Sequence, residues 1–366
     1  MKRVGVFGGS FDPVHIGHVR IVKEAMQQLH LDQCILIPTK NNPWKNAHFA
    51  STTDRLEMLS IAFRNIPNIT ISKLEVETSS NTKNYTIDTI STLQTQWPNT
   101  SLYYIMGMDQ ACQFQDWMGA QAISERVQLI AFPRMGYEPN ATLEKYHFQS
   151  LQMEPNGYAS SLIRQGDIDG LDPNVLQYIT NHGLYLETLL SNTMSQKRFK
   201  HTKSMAHLAK EIANSNHIDA NKAYIAGMFH DIAKEMPMDQ AKSIMEQNFP
   251  QYLNKPVPVW HQWLSAFVAK NKYQINDPEI LQAIENHTTA STTMSLLDMC
   301  IYVADKYDPD RGYDSSKEIA LCKENVQQGF KKCLQDFVEY ATTKQIPIDP
   351  AFDLVYEKYV KENINE

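Results

Sequence analysis

Two histidines near the start of this 366-residue chain, His15 and His18, are spaced for work on phosphorus. They flank Ile16-Gly17, shortly after the stretch Lys2-Arg-Val-Gly-Val-Phe-Gly-Gly9. Imidazoles donate N–H bonds to phosphate oxygens and carry charge in the fraction set by their local pKa. A second phosphate signal is Tyr158-Ala-Ser-Ser-Leu-Ile-Arg164. Ser160 and Ser161 are expected to cap a helix and offer hydroxyls. Arg164 lies three residues after Ser161, on the same helical face, and carries a bidentate fork. Far along the chain, His230-Asp231 sits in the apolar run Tyr224-Ile-Ala-Gly-Met-Phe-His-Asp-Ile-Ala-Lys234. Burying an unpaired carboxylate there is expensive, and a metal ion removes the problem.

The elements that must position these groups follow from hydrophobic period. Residues 2–7 read as a short buried strand, Gly8 and Gly9 as a sharp turn, and a helical pattern begins near Gly17. That sequence of elements aims free N–H groups and a helix dipole at an anion. Residues 34–38, 101–106 and 127–132 read as further strands, and 68–72 as β-rich. Ser51 with Asp54 predicts a helix start before Arg55–Phe63, and Tyr85–Leu93 a helix that stops at Trp97-Pro98. Strands alternating with helices predict an α/β doubly wound parallel sheet. Its cleft would join the glycine turn, the Asn41–Lys45 loop and Gly107-Met-Asp109.

Asp172-Pro173 starts a helix that Gly183 ends, and Glu187–Gln196 lacks a clear core stripe, so a boundary is placed near 190. Two domains, 1–190 and 191–366, suit the length. From 197 on the pattern is helical, predicting an all-α second domain. Net charge is −7, and both halves are mildly acidic, so no nucleic-acid partner is expected. Five cysteines without paired spacing predict reduced thiols in a cytoplasmic protein. The apolar run after Met1 is too short for a signal peptide, and no run has membrane-spanning length.

The N-terminal motif Gly8-Gly-Ser-Phe-Asp-Pro-Val-His-Ile-Gly-His18 resembles the signature of the nucleotidyltransferase superfamily. The resemblance implies that His15 and His18 stabilise the transferring phosphorus, with Gly8, Gly9, Ser10 and Phe11 against the nucleotide. Tyr158–Arg164 is similar to the superfamily's I-S-S-T-x-I-R motif, which implies that Ser160, Ser161 and Arg164 hold a triphosphate. Three more segments resemble bacterial nicotinate mononucleotide adenylyltransferases. Asn41-Asn-Pro-Trp-Lys45 resembles their N-P-P-H-K loop, with Trp44 in place of His and Asn42 in place of Pro. Tyr85-Thr86-Ile-Asp-Thr89 resembles S-Y-T-I-D-T, and Gly107-Met-Asp109 with Phe114 and Trp117 resembles G-x-D…F-x-x-W. The likeness implies acceptor-side roles for Asn41, Thr86, Gly107, Asp109 and Trp117, leaves Lys45 to meet the β/γ phosphates, and brings Mg²⁺ with ATP.

In the second half the order His201…His230-Asp231…Asp305 resembles the H…HD…D ligand set of the HD phosphohydrolase superfamily. His261 and His287 would suit a second metal beside the first, and imidazole with carboxylate favours Fe, Mn, Zn or Co over Ca. Arg198, three residues before His201, and Lys234, four after His230, are placed to hold phosphate. The segments around His201, His230, His287 and Tyr302–Arg311 resemble the YqeK-type HD family, with Lys306 where that family has Tyr. That resemblance implies symmetric, metal-assisted hydrolysis of diadenosine tetraphosphate to two ADP, with Arg198, Lys234 and Arg311 neutralising the polyphosphate.

The expectation is therefore a bifunctional enzyme acting on ATP, nicotinate mononucleotide and diadenosine tetraphosphate, with self-association left open. The alternatives are a different transferase acceptor, nicotinamide mononucleotide or phosphopantetheine, and an HD half that only senses nucleotides or binds partners.

Overall fold

The computed structural model describes residues 1–40, 49–77, 85–155, 157–346 and 348–362. The chain divides into two compact units, Met1–Val175 and Leu176–Glu366. The expected boundary near 190 falls inside the second unit. There the segment read as lacking a core stripe overlaps a short helix, Leu186–Leu190, that buries Leu186, Leu189 and Leu190.

The first unit carries β1 (Lys2–Gly9), β2 (Gln33–Pro38), β3 (Ile69–Ile71), β4 (Thr100–Gly107), β5 (Gln128–Phe132) and β6 (Gln149–Ser150). They lie in the order β3-β2-β1-β4-β5-β6, every pair parallel. The chain winds outward from β1 in one direction and then in the other, as the alternating pattern predicts. Helices cover both faces, so Val4 and Val6 of β1 are fully buried. The helix Ile16–Gln28 turns Gly17, Ile21, Val22 and Ala25 inward. The helix Thr52–Phe63 starts as expected, with the Ser51 hydroxyl accepting from the Asp54 N–H. Strand β6 has no apolar residue to mark it and is held by its ladder to β5.

The glycine turn needs correction. Gly8 and Gly9 stay in β1, opposite Ile37 and Pro38 of β2. The left-handed residue is Phe11, at φ 47°, a conformation that costs a bulky side chain of order 1–2 kcal/mol. The glycines serve close approach instead. A Cβ on Gly8 would meet the Tyr104 hydroxyl at 3.1 Å, and one on Gly9 would meet the Phe11 ring at 3.0 Å.

The second unit is helical, with no strand among the described residues. Its helices include Gln196–Ser215, Ala220–Phe229, His261–Asn271, Pro278–Asn286 and Leu296–Lys306. A Cβ on Gly227 would come within 2.7 Å of the Ala206 Cα, so this glycine lets the first two helices pack backbone to backbone. No helix of the described residues is long and apolar enough to cross a membrane.

Candidate functional site

In the first unit the carboxyl ends of β1 and β4 face the point where the winding reverses, the usual ligand crevice of such sheets. His15 caps the helix that follows β1, and His18 lies one turn further. Their rings stack with centroids 3.7 Å apart. The backbone N–H of His15 donates to Nδ1 of His18 at 3.1 Å, which leaves Nε2 of His18 to carry its proton. Phe11 packs edge-on to His18 at 5.0 Å. Burial, reinforced by the Arg134 guanidinium, pushes the His15 imidazole down to about 3. His15 is therefore neutral near pH 7 and offers hydrogen bonds rather than charge, which narrows the expectation of a partly charged pair.

The distant Ser160–Arg164 segment comes back onto the same loop. The Ser160 hydroxyl donates to the Pro13 carbonyl at 2.9 Å. Arg164 donates to the Asp12 carbonyl and lies 4.3 Å over the Phe49 ring. The expected capping does not occur. Ala159 is the cap residue without a side-chain bond, the Ser160 hydroxyl is taken by Pro13, and Ser161 is exposed. Asp12, part of the N-terminal motif but given no role from sequence, ties the loop to the start of the next helix by accepting from the N–H groups of Phe49 and Ala50 at 2.8 and 3.1 Å. The carbonyl of Ser10 accepts from the buried Arg55 at 2.8 Å.

On the other flank, Thr86 begins the helix Thr86–Gln96 and hydrogen-bonds the Tyr104 hydroxyl, the group that approaches Gly8. Trp117 lies edge-on to Tyr104 at 6.2 Å and beside Phe114 at 5.4 Å, half-buried against the core. Gly107 ends β4, and Asp109 pairs with Arg134 at 3.4 Å. Arg134 was missed from sequence; its only signal was a place just past the strand read at 127–132. Asn41 and Lys45 lie outside the described residues.

The second unit gathers all six candidate metal ligands. His201, His230 and Asp231 form one set, and Asp231, His261 and His287 another, with donor atoms within 4.8 Å of one another in each. Asp231 belongs to both. Its Oδ2 lies 3.5 Å from Nε2 of His230, and its Oδ1 lies 3.3 and 3.7 Å from Nε2 of His261 and His287. Asp305 joins the first set, with Oδ1 at 3.2 Å from Nε2 of His201.

The ring orientations test whether metal fits. Nδ1 of His230, His261 and His287 faces the carbonyls of Gly227, Pro258 and Ile284 at 2.7, 2.8 and 2.6 Å. Each carbonyl can only accept, so Nδ1 carries the proton and the Nε2 lone pair points inward. Nε2 of His230 is buried with no hydrogen-bond partner among the described residues. Nε2 of His261 and His287 stand 3.1 Å apart, two lone pairs that a cation would reconcile. The donor set fits transition metals.

Burial pushes His230 down to about 4 and, with His287 beside it, His261 down to about 2, so both are neutral as ligation requires. Burial opposes ionisation of Asp231, yet its carboxyl is held low in a setting of His230, His287, His261 and the Arg198 guanidinium at 2.6 Å. Burial likewise opposes ionisation of Asp305, and Lys306, His201 and Arg311 outweigh it.

Arg198, Lys234, Lys306 and Arg311 line a pocket of about 310 Å³ with Asp231, His261, Thr288 and Asp305. Arg198 meets Asp231 at 2.6 Å, Lys234 meets Nε2 of His261 at 3.1 Å, and Arg311 meets Asp305 at 2.5 Å. Asp308 and Thr288 were not found from sequence. Asp308 reaches Nδ1 of His201 at 2.6 Å, and the Thr288 hydroxyl lies 3.0 Å from Nε2 of both His261 and His287.

Comparison with known proteins bears on both halves. Residues 6–166 match the cytidylyltransferase-like family and residues 198–310 the HD domain family. The chain is similar to the "Probable nicotinate-nucleotide adenylyltransferase/Ap4A hydrolase" of Mycoplasma genitalium, 30% identical over 343 residues that cover 90% of this chain and 96% of that one. A protein of the same name from Mycoplasma pneumoniae is 28% identical over 343 residues, covering 90% and 97%. A "Probable nicotinate-nucleotide adenylyltransferase" of Carboxydothermus hydrogenoformans is 32% identical over 172 residues, covering 44% of this chain and 85% of that one. With a likeness that runs nearly end to end, this chain belongs to the nicotinate-nucleotide adenylyltransferase/Ap4A hydrolase family, bifunctional enzymes that join a cytidylyltransferase-like domain to an HD domain.

Proposed function

We propose that the first unit transfers AMP from ATP to nicotinate mononucleotide, giving deamido-NAD and pyrophosphate. The stacked His15–His18 pair at the carboxyl end of β1 carries this reading, together with the activity for which its relatives are named. The acceptor phosphate is already an anion, so positioning and charge neutralisation suffice and no strong base is needed. His15 and His18 donate to oxygens of the α-phosphate, while Ser161, Arg164 and Lys45 hold the β/γ end. Thr86, Asp109 and Trp117 serve the acceptor side. Mg²⁺ travels with the nucleotide, bound chiefly to phosphates and water.

The second unit hydrolyses diadenosine tetraphosphate symmetrically to two ADP in this proposal, in the cytoplasm, where the free cysteines would stay reduced. The observation that carries it is Asp231 shared between two inward-facing histidine sets. His201, His230, Asp231 and Asp305 would hold one transition-metal ion, iron being the preferred candidate, and Asp231, His261 and His287 a second. Bound metals supply Lewis-acid polarisation and an activated water. The chain itself fixes the ligand tautomers and supplies Arg198, Lys234 and Arg311 to the phosphates.

Mass spectrometry of two reactions tests both halves. ATP with nicotinate mononucleotide should give deamido-NAD even when nicotinamide mononucleotide and phosphopantetheine compete; preference for either competitor refutes the acceptor. Diadenosine tetraphosphate should give ADP alone. ATP plus AMP would refute symmetric cleavage, and a protein that takes up no transition metal when supplied with it and releases no ADP would refute the hydrolase.

A further inference from the structure

Lys306 closes the helix Leu296–Lys306, directly after Asp305. Its ammonium is tethered on the protein side. Nζ donates to Asp305 Oδ2 at 2.7 Å and to the carbonyl of His287 at 3.3 Å, and it lies 4.9 Å from the centre of the Tyr302 ring. An ammonium has three N–H donors, so these two bonds leave one for the pocket that Lys306 lines.

The other cations of that pocket stand beside different ligand atoms. Arg198 is on Asp231, Lys234 on His261, and Arg311 on the Asp305 oxygen that Lys306 does not touch. Positive charge is thus spread along the ligand cluster rather than gathered at one point. A single phosphate can engage only part of such a set. In a dinucleoside polyphosphate each bridging phosphate carries its own negative charge, so a longer chain meets more of the cations.

We propose that Lys306 is a polyphosphate-binding residue of the HD site and that it biases the site toward longer phosphate chains. This deepens the hydrolase reading and rests on it for the identity of the substrate, though not for the binding of phosphate itself. The competing explanation is that Lys306 only props Asp305 for metal ligation, and the two differ in what a neutral residue would disturb.

The test uses the full chain with Lys306→Gln and Lys306→Arg. Metal per chain is measured after gel filtration, and the affinities of inorganic tripolyphosphate and pyrophosphate by calorimetry. KM and kcat are measured for diadenosine tetraphosphate and triphosphate. In Lys306→Gln, metal content should hold, and tripolyphosphate affinity should fall about 10-fold, the size of one charge-assisted hydrogen bond. Pyrophosphate affinity should fall less. KM for the tetraphosphate should rise more than for the triphosphate, with kcat nearly unchanged, and Lys306→Arg should recover most of the loss. Unchanged tripolyphosphate binding, or metal loss that tracks the loss of affinity, would overturn the proposal. A wild-type chain that releases no ADP would sink the hydrolase reading, while the tripolyphosphate comparison would still decide the role of Lys306.

Discussion

Nδ1 of His201 lies 2.6 Å from Oδ2 of Asp308, a fully buried carboxylate whose other oxygen accepts from the Ser204 hydroxyl at 2.5 Å. The bond orients the imidazole and turns its Nε2 toward Asp305. Removing such a partner behind a ligating imidazole typically costs about 10–100-fold in metal affinity. Asp308→Asn should therefore lose metal from the first ligand set at lower chelator concentration, by about that factor. Equilibrium dialysis against a graded chelator reads it, and wild-type retention would show that the bond is dispensable for ligation.

Asp231 lends one carboxylate oxygen to each ligand set. Asp231→Ala should empty both, whereas His287→Ala should empty only the second. Metal-to-protein ratios from elemental analysis separate the two outcomes. An equal loss in both variants would contradict a shared carboxylate with otherwise separate sets.

The two activities should separate by mutation. His18→Ala removes one of the two donors proposed for the transferring phosphorus and should slow pyrophosphate release about 10²–10³-fold, the usual cost of losing one such donor, while ADP release from diadenosine tetraphosphate persists. His230→Ala should do the reverse. A collapse of both activities in either variant would count against independent chemistry.

His15 gives a pH prediction with a definite sign. Its pKa is about 3 in the folded chain, against the ordinary 6.5. Between those values the unfolded chain binds the extra proton, so this group's contribution to stability is complete above about 6.5 and is lost as pH falls toward 3. The slope is at most about 1.4 kcal/mol per pH unit. Urea unfolding of the full chain, followed by a probe in the first unit, should show a steeper fall from pH 7 to pH 5 than in His15→Asn. Imidazole resonances of His15 should also stay at their neutral positions over that range; a midpoint near 6.5 would refute the burial argument.

Much of the architecture was legible along the chain because it follows from local period. Alternating strands and helices marked the parallel sheet, and the stretch after 197 read as helical. In the same way the Ser51–Asp54 cap was visible because its partners are close in sequence. His230-Asp231 was visible because a carboxylate in an apolar run needs a partner. The order of the remaining candidate ligands was visible through resemblance, and the structure brings their side chains together.

What only the tertiary structure decided depends on contacts that spacing does not encode. Ser160 meets Pro13 across 147 residues, and Asp308 meets His201 across 107. Neither Arg134 beside Asp109 nor Thr288 between two imidazoles has a local signature. The turn passed from Gly8-Gly9 to Phe11 because β1 pairs with β2 through Gly9. The charge state of His15 and the inward lone pairs of His230, His261 and His287 depend on burial and on which carbonyl each ring meets. By itself, then, the sequence determined which residue types were present and on what kind of element each would sit. Desolvation and long-range packing, which exist only once the chain has folded, decided their protonation, their direction and their company.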